Sequence, residues 1–330
     1  GALPMTVAGF CAARFALGLA EGGNFPAAIR TVSEWFPKKE RALATGLFNS
    51  GCNVGAIVAP AIIPLVAVRA GWPVAFLITA PLAAVWLVVW WLGYHNPARH
   101  PRLSASELAY IRSDPPDPEV KVPWLALLRY RQTWAFVVGM FLSGPIWWFY
   151  LYWIPGFLNE RHGLDLVHMG PPLITIYLMT NVGSVGGGWL SSWMIRRGWS
   201  VNAARKTALL VCALAVVPVF AASSVTNLWV ATVLIGLAAS AHQGFSANLY
   251  TLVSDTAPRH MVSSIVGIGG MAAAIGGMFI AKLAGYILEW TGTYLPLFVI
   301  ASCSYLVNVG IIHALNPRLE PMQFDGVENV

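Results

Sequence analysis

Two ionisable side chains, Arg14 and Glu21, stand inside a long apolar run near the start of the chain. Their spacing is close to two helical turns, so on a helix they share one face, about 10 Å apart. Gly18 lies between them and leaves that face notched. An ionisable group at membrane depth costs at least about 2.5 kcal/mol on insertion scales, so it is expected to have a use. The planar guanidinium of Arg14 suits an anionic ligand such as a carboxylate, which it grips with two parallel hydrogen bonds. A carboxyl in a low-dielectric setting takes up protons nearer neutrality, which gives Glu21 a role in proton coupling. The other reading is a structural pair buried between helices, although this spacing requires a bend or a water for direct contact.

Further polar groups recur along the apolar runs. Asn49 and Asn53 share a face beside Gly51-Cys52-Asn53-Val54-Gly55, where the GxxxG spacing also favours close helix packing. Both readings, packing and ligand contact at Asn49, stay open. The run Ser143-Gly144-Pro145-Ile146-Trp147-Trp148-Phe149-Tyr150-Leu151-Tyr152-Trp153-Ile154-Pro155-Gly156 has two prolines, which free backbone carbonyls in a membrane helix. Its aromatics Trp147, Trp148 and Tyr150 offer flat faces on which a sugar ring stacks, or they simply pack. Gln243, Ser246 and Tyr250 fall on one face, while His242 and Asn248 point elsewhere. So many hydrogen-bonding groups are costly in lipid unless they face a cavity. Gln243, Ser246 and Asn248 therefore join the candidate ligand contacts. Tyr177, Asn181 and Ser184 form a similar face, and Lys282 is read as snorkelling or paired, with no assigned role. His242 has no second His, Cys or carboxylate at ligand spacing, so no metal site is read. No phosphate loop or nucleophile triad occurs, and no base serves Ser191 or Ser192; neither an enzyme nor a cofactor is expected.

The elements that must position these groups are membrane helices. The chain has 330 residues, 57% hydrophobic and only 10% charged, against about 25% charged in a soluble domain. Crossing the hydrocarbon core takes about 20 mostly apolar residues. Nine such runs are legible, at about 6–35, 42–67, 72–94, 132–158, 167–195, 205–223, 226–254, 261–289 and 292–315. Between them, 95–131 is long and polar. It carries a capping box at Ser104-Ala105-Ser106-Glu107, and a stretch, Pro115-Pro116-Asp117-Pro118, that cannot be helical throughout. Basic residues crowd alternate connections, including Lys38, Lys39, Arg41, Arg99, Arg102, Arg112, Arg196, Arg197, Arg205 and Arg259; the opposite set has only Arg69 and Arg161. The positive-inside rule puts the first set in the cytoplasm, the amino end outside and the carboxyl end inside. The net charge of +6 then reports orientation, not nucleic-acid binding. Three spans, a loop and six spans would become six plus six if three helices preceded this chain.

Several motifs in order resemble the major facilitator superfamily, and within it the anion:cation symporters and the bacterial hexuronate transporters. They are Arg14-Phe15-Ala16-Leu17-Gly18-Leu19-Ala20-Glu21, Glu34-Trp35-Phe36-Pro37-Lys38-Lys39-Glu40-Arg41, Phe48-Asn49-Ser50-Gly51, His100-Pro101-Arg102-Leu103-Ser104, the Pro145–Trp153 aromatics, the His242–Asn248 run and Val266-Gly267-Ile268-Gly269-Gly270-Met271. The resemblance implies an all-α bundle of twelve helices, of which this chain would hold family helices 4–12. Residues 1–94 would be the remnant of one six-helix half, 95–131 a cytoplasmic linker, and 132–330 the other half with a short tail. It further implies a monomer in a bacterial inner membrane that takes up a sugar acid with protons, or with sodium, by alternating access. Arg14 would then bind substrate and Glu21 couple the proton. A galactonate-like or aromatic carboxylate cargo, or a transporter-like sensor, is the alternative. Gly144 stands where an acidic residue is expected, Phe245 where Trp is common, and Ser192 where the gating motif usually has aspartate.

Overall fold

The computed structural model describes residues 6–115, 123–165 and 168–323. Within these the chain forms eleven α-helices: α1 (Val7–Glu21), α2 (Asn24–Trp35), α3 (Lys38–Ala70), α4 (Trp72–Gly93), α5 (Ala105–Ile111), α6 (Arg131–His162), α7 (Gly170–Arg196), α8 (Val201–Val216), α9 (Leu228–Thr256), α10 (Arg259–Thr291) and α11 (Leu295–Leu315). A 3₁₀ segment, Val217–Ser223, extends α8. The bundle is all-α, as the hydropathy pattern requires. Past Pro115, the proline-rich stretch of the linker lies outside the described residues.

Local chemistry sets the helix ends. Ser200 and Asn227 cap α8 and α9 by accepting from backbone N–H groups of the first turn. At α5 the capping box is complete: the Ser104 hydroxyl accepts from the Glu107 N–H, and the Glu107 carboxylate accepts from the Ser104 N–H at 3.0 Å. Gly163 ends α6 at φ +68, a left-handed stop that costs glycine nothing.

Seven helices among the described residues are long and apolar enough to cross a membrane. Two of the nine expected spans differ from that set for physical reasons. The first, 6–35, is two helices, because Gly22 and Gly23 interrupt it between α1 and α2. The fifth is the helix α7, whose glycines, serines and asparagine lower its hydropathy. Those small residues let α7 pack closely along α3 and α9. A Cβ on Gly187 would collide with the backbone of Gly244 on α9, and one on Gly188 with the carbonyl of Ala42 on α3. α10 packs on α6 and also on α2. By contrast α1 has no buried residue and α4 only Ala75.

Candidate functional site

The polar groups singled out in the sequence sit at three levels of the bundle. Arg14 is the middle residue of α1, and Glu21 is its last. Both are exposed, with no ion pair or hydrogen bond among the described residues. Gly18 leaves the notch open, since a Cβ there would meet nothing within 4 Å. The pair thus lies on an open face, not in an enclosed crevice. Directly after Glu21 the helix is interrupted at Gly22 and Gly23, which keep right-handed helical dihedrals, and α2 starts at Asn24 with Gly23 as an N-cap that has no side chain to bond. Interrupted helices at membrane depth occur where backbone faces protein or a wet cavity.

At the middle of the bundle α3 faces α9. Asn49 and Asn53 are buried, at 3% and 2% exposure, and the Nδ2 of each has no partner among the described residues. Gln243 donates from Nε2 to Asn53 Oδ1 at 3.2 Å. Ser246 is half-buried on the same helix. Asn248 is fully buried, and its amide donates to the carbonyls of Gly187 and Gly244, both at 2.9 Å. That fastens α9 to α7 and leaves only Oδ1 unpaired. Tyr150 of α6 is 4% exposed, and its hydroxyl has no partner among the described residues. Trp148 stacks on Tyr152 at 5.5 Å and covers Gly277 of α10. Trp147 stacks on His242 of α9, with ring centres 5.1 Å apart and planes within 10°. Unpaired buried donors are costly, and these have hydrogen-bonding capacity that the described residues leave unused.

Below it the bundle is closed. Phe25, at the head of α2, stacks on Tyr250 of α9 and meets Phe48 of α3 edge-on. Phe136 of α6 completes this aromatic floor against Tyr250. Nearer the cytoplasmic ends lies an ionic lattice. Arg41 of α3 donates to the carbonyls of Phe36, Ser33 and Ser254, and pairs with Asp114 of the linker at 3.2 Å. Its guanidinium is also 3.8 Å from Asp255 of α9. Arg205 of α8 pairs with Asp255 at 2.9 Å and donates to Ser191 and to the Lys38 carbonyl of α3. Asp255 thus supplies acid near the gating-motif region where the sequence has Ser192.

Sequence reasoning missed this lattice. It read Arg41 and Arg205 only as loop charges marking the cytoplasm and passed over Asp255. The residual signal was Asp255 itself, an acid in the last turn of a membrane helix, where the dipole disfavours it. The helix break was signalled by Gly22-Gly23-Asn24-Phe25-Pro26, with its paired glycines and a proline suited to a helix start.

A model of the Major Facilitator Superfamily matches residues 1–281. The chain is 31% identical over 325 residues to the hexuronate transporter of Escherichia coli strain K12, an alignment covering 96% of this chain and 75% of that protein. It is 27% identical to the D-galactonate transporter of Escherichia coli O6:H1, covering 91% and 71%. It is also 29% identical to the probable galactarate/D-glucarate transporter GudP of Escherichia coli strain K12, covering 94% and 73%. Its fold is similar to that of the human organic anion transporter MFSD10, with a TM-score of 0.67, 17% identity, and 94% and 72% of the two chains covered.

Proposed function

The chain belongs to the major facilitator superfamily and is a multi-pass inner-membrane transport protein, not an enzyme; from that premise we propose that it carries a sugar acid into the cytoplasm with protons. The observation that carries this reading is the placement of Arg14 and Glu21. A permanent cation and a titratable acid share an open face, above a helix break and above a bundle closed at its cytoplasmic end. A carboxylate seated at Arg14 neutralises that cation, and a proton at Glu21 neutralises that acid. The loaded carrier then changes conformation without exposing net charge to the low-dielectric barrier.

In this mechanism the cargo enters from the outside face. Arg14 grips its carboxylate as a two-toothed hydrogen-bonded pair. The unpaired amides of Asn49 and Asn53, together with Gln243, Ser246 and the Tyr150 hydroxyl, accept and donate to its hydroxyls. Trp147 and Trp148 offer apolar ring faces to its C–H surface. Asn248 holds α9 against α7 so that these groups keep their places. Binding differentially stabilises the state in which the floor and the ionic lattice part, and the population shifts toward it. Cargo and proton leave inside, and the empty carrier returns. The curated relatives named for hexuronate, galactonate and galactarate or glucarate support a polyhydroxy acid as cargo.

The test is uptake of labelled galacturonate into membrane vesicles carrying an imposed proton gradient. The parent chain accumulates it uphill, and Glu21→Gln supports only equilibration. Arg14→Lys raises KM at least tenfold, because the ammonium cannot form the paired bonds. Uphill accumulation at the parental level in Glu21→Gln means that the carboxyl is not the coupling group. Accumulation driven by a sodium gradient alone replaces the proton in this scheme.

A further inference from the structure

One buried titratable side chain has no part in the scheme above. His242 is the middle residue of α9, and Tyr305 is the middle residue of α11. Both therefore lie near the centre of the membrane. His242 Nδ1 lies 2.5 Å from the Tyr305 hydroxyl. Tyr305 is fully buried, and among the described residues that ring nitrogen is the partner of its hydroxyl. A neutral imidazole can take either hydrogen placement, so the choice follows from counting donors. If Nδ1 carried the hydrogen, the phenolic O–H would be left buried with no acceptor among the described residues, a costly arrangement. If the phenol donates to Nδ1, the buried O–H is paired and the imidazole hydrogen sits on Nε2, which belongs to the less enclosed of the two side chains. The second arrangement is therefore the stable one.

Nε2 is on the opposite edge of the ring. It has no partner among the described residues, yet it is not one of the sealed polar atoms, and His242 keeps 6% exposure. Its N–H is therefore the donor of this pair that has no protein acceptor among the described residues. The ring face is covered by Trp147, which fixes the imidazole plane as Tyr305 fixes its rotation. The other titratable groups facing this pair are the Tyr150 hydroxyl from α6 and the Cys212 thiol from α8, both electrostatic neighbours of Tyr305. None of these is a carboxylate, so nothing nearby favours a charged imidazolium. The next residue, Gln243, already reaches across to α3.

We propose that His242 is a specificity-determining donor of the transport site. Tyr305, a positioning residue, holds the hydrogen on Nε2, and that N–H reads an acceptor oxygen of the bound sugar acid beside the Trp147 face. This rests on the transport reading for its ligand, but the hydrogen placement stands independently. A fixed neutral donor discriminates in one direction. It accepts a hydroxyl, ether or carboxylate oxygen and rejects an analogue presenting a C–H or N–H there, whose binding would leave the buried donor unpaired.

The experiment is nitrogen NMR of the full chain labelled at histidine, in lipid nanodiscs. The His242 signals are assigned by their loss in His242→Gln, and calorimetry of galacturonate binding runs in parallel. The expected spectrum shows a protonated Nε2 and a bare Nδ1, with the Nε2 signal moving on addition of galacturonate. Tyr305→Phe brings in the second tautomer and weakens binding about fivefold. His242→Gln, whose amide places a donor near Nε2, binds within about threefold of the parent, while His242→Met, similar in size without a donor, loses tenfold or more. A protonated Nδ1 in the parent overturns the hydrogen placement. Binding by calorimetry with an unmoved Nε2 signal, or equal affinity in His242→Met, overturns the donor role and leaves the transport reading intact. Absence of binding by any sugar acid to the parent chain overturns the transport reading and the ligand part of this proposal with it.

Discussion

Replacing Arg41 with methionine should favour the state open to the cytoplasm. Arg41 reaches from α3 to α9 through the Ser254 carbonyl and the Asp255 carboxylate, while Arg205 reaches back to the Lys38 carbonyl. The charge-assisted bond to Ser254 contributes about 1.5–3 kcal/mol. At 3.8 Å and an effective dielectric of about 20, the Asp255 pair adds about 4 kcal/mol of Coulomb attraction. Against this, burying the guanidinium costs several kcal/mol, a penalty relieved when the gate parts and water enters. The balance is about 2 kcal/mol in favour of closure, or about thirtyfold in the ratio of states. In the variant both carboxylates keep a partner, while the carbonyls of Ser33, Phe36 and Ser254 lose this donor, which weakens the closed state further. Asp255 keeps Arg205 at 2.9 Å, and Asp114 keeps the Lys38 N–H at 2.9 Å. Spin labels at Arg99 and Arg196, both exposed, report the cytoplasmic opening by dipolar distance measurement in a cysteine-free background. The expected result is growth of a longer-distance population in Arg41→Met, with folding confirmed by an unbroken thermal transition. Identical distance distributions in parent and variant would refute a gating role and leave the lattice as a static staple.

Three further outcomes follow. Gly187→Ala should lower the thermal midpoint sharply, because its methyl overlaps the Gly244 backbone and overpacking costs about 1–3 kcal/mol or more; Gly267→Ala, with nothing within 4 Å, should match the parent. The Ser104 N–H and hydroxyl donate to the exposed Glu107 carboxylate and hold its pKa below the usual value. The help this gives α5 is thus present above the ordinary glutamate range and lost as pH falls through the lowered pKa. Hydrogen exchange of α5 amides should show that loss in the parent, and Ser104→Ala, which keeps the backbone N–H and loses only the hydroxyl, should show a smaller change over the same range. Tyr150→Phe should keep the parental thermal midpoint, since its hydroxyl has no protein partner, but raise KM for the cargo about five- to tenfold through one lost hydrogen bond; an unchanged KM removes that hydroxyl from the site.

The helices were legible because each is a local property. Apolar runs, end-caps and alternating loop charge all act within a few residues, and the Ser104–Glu107 box is visible letter by letter. The face through Gln243 and Tyr250 was also readable from periodicity, and the two side chains do reach toward α3 and α2. What escaped depends on partners far apart in the chain. Arg41 meets Asp255, and His242 meets Tyr305, only once α3, α9 and α11 have packed. The break after Glu21 escaped for another reason. Gly22 and Gly23 sit in a run whose average hydropathy resembles an unbroken span, so a window that averages cannot see it. The polar face of α7 was visible, but whether it meets ligand or helix is decided by glycines that admit α3 and α9 within backbone contact.

The interruption at Gly22 and Gly23 makes one membrane crossing into two levers. The lower lever, α2, is clamped against α10 and wedges Phe25 over Tyr250; the upper, α1, has no buried residue and ends on the carboxyl. Under the proposed scheme, a proton taken up at Glu21 acts first on the freer arm, and the joint sets how strongly that arm is coupled to the plug beneath. Replacing both glycines with alanine, the stronger helix former, would stiffen that joint and tie the two arms more closely together.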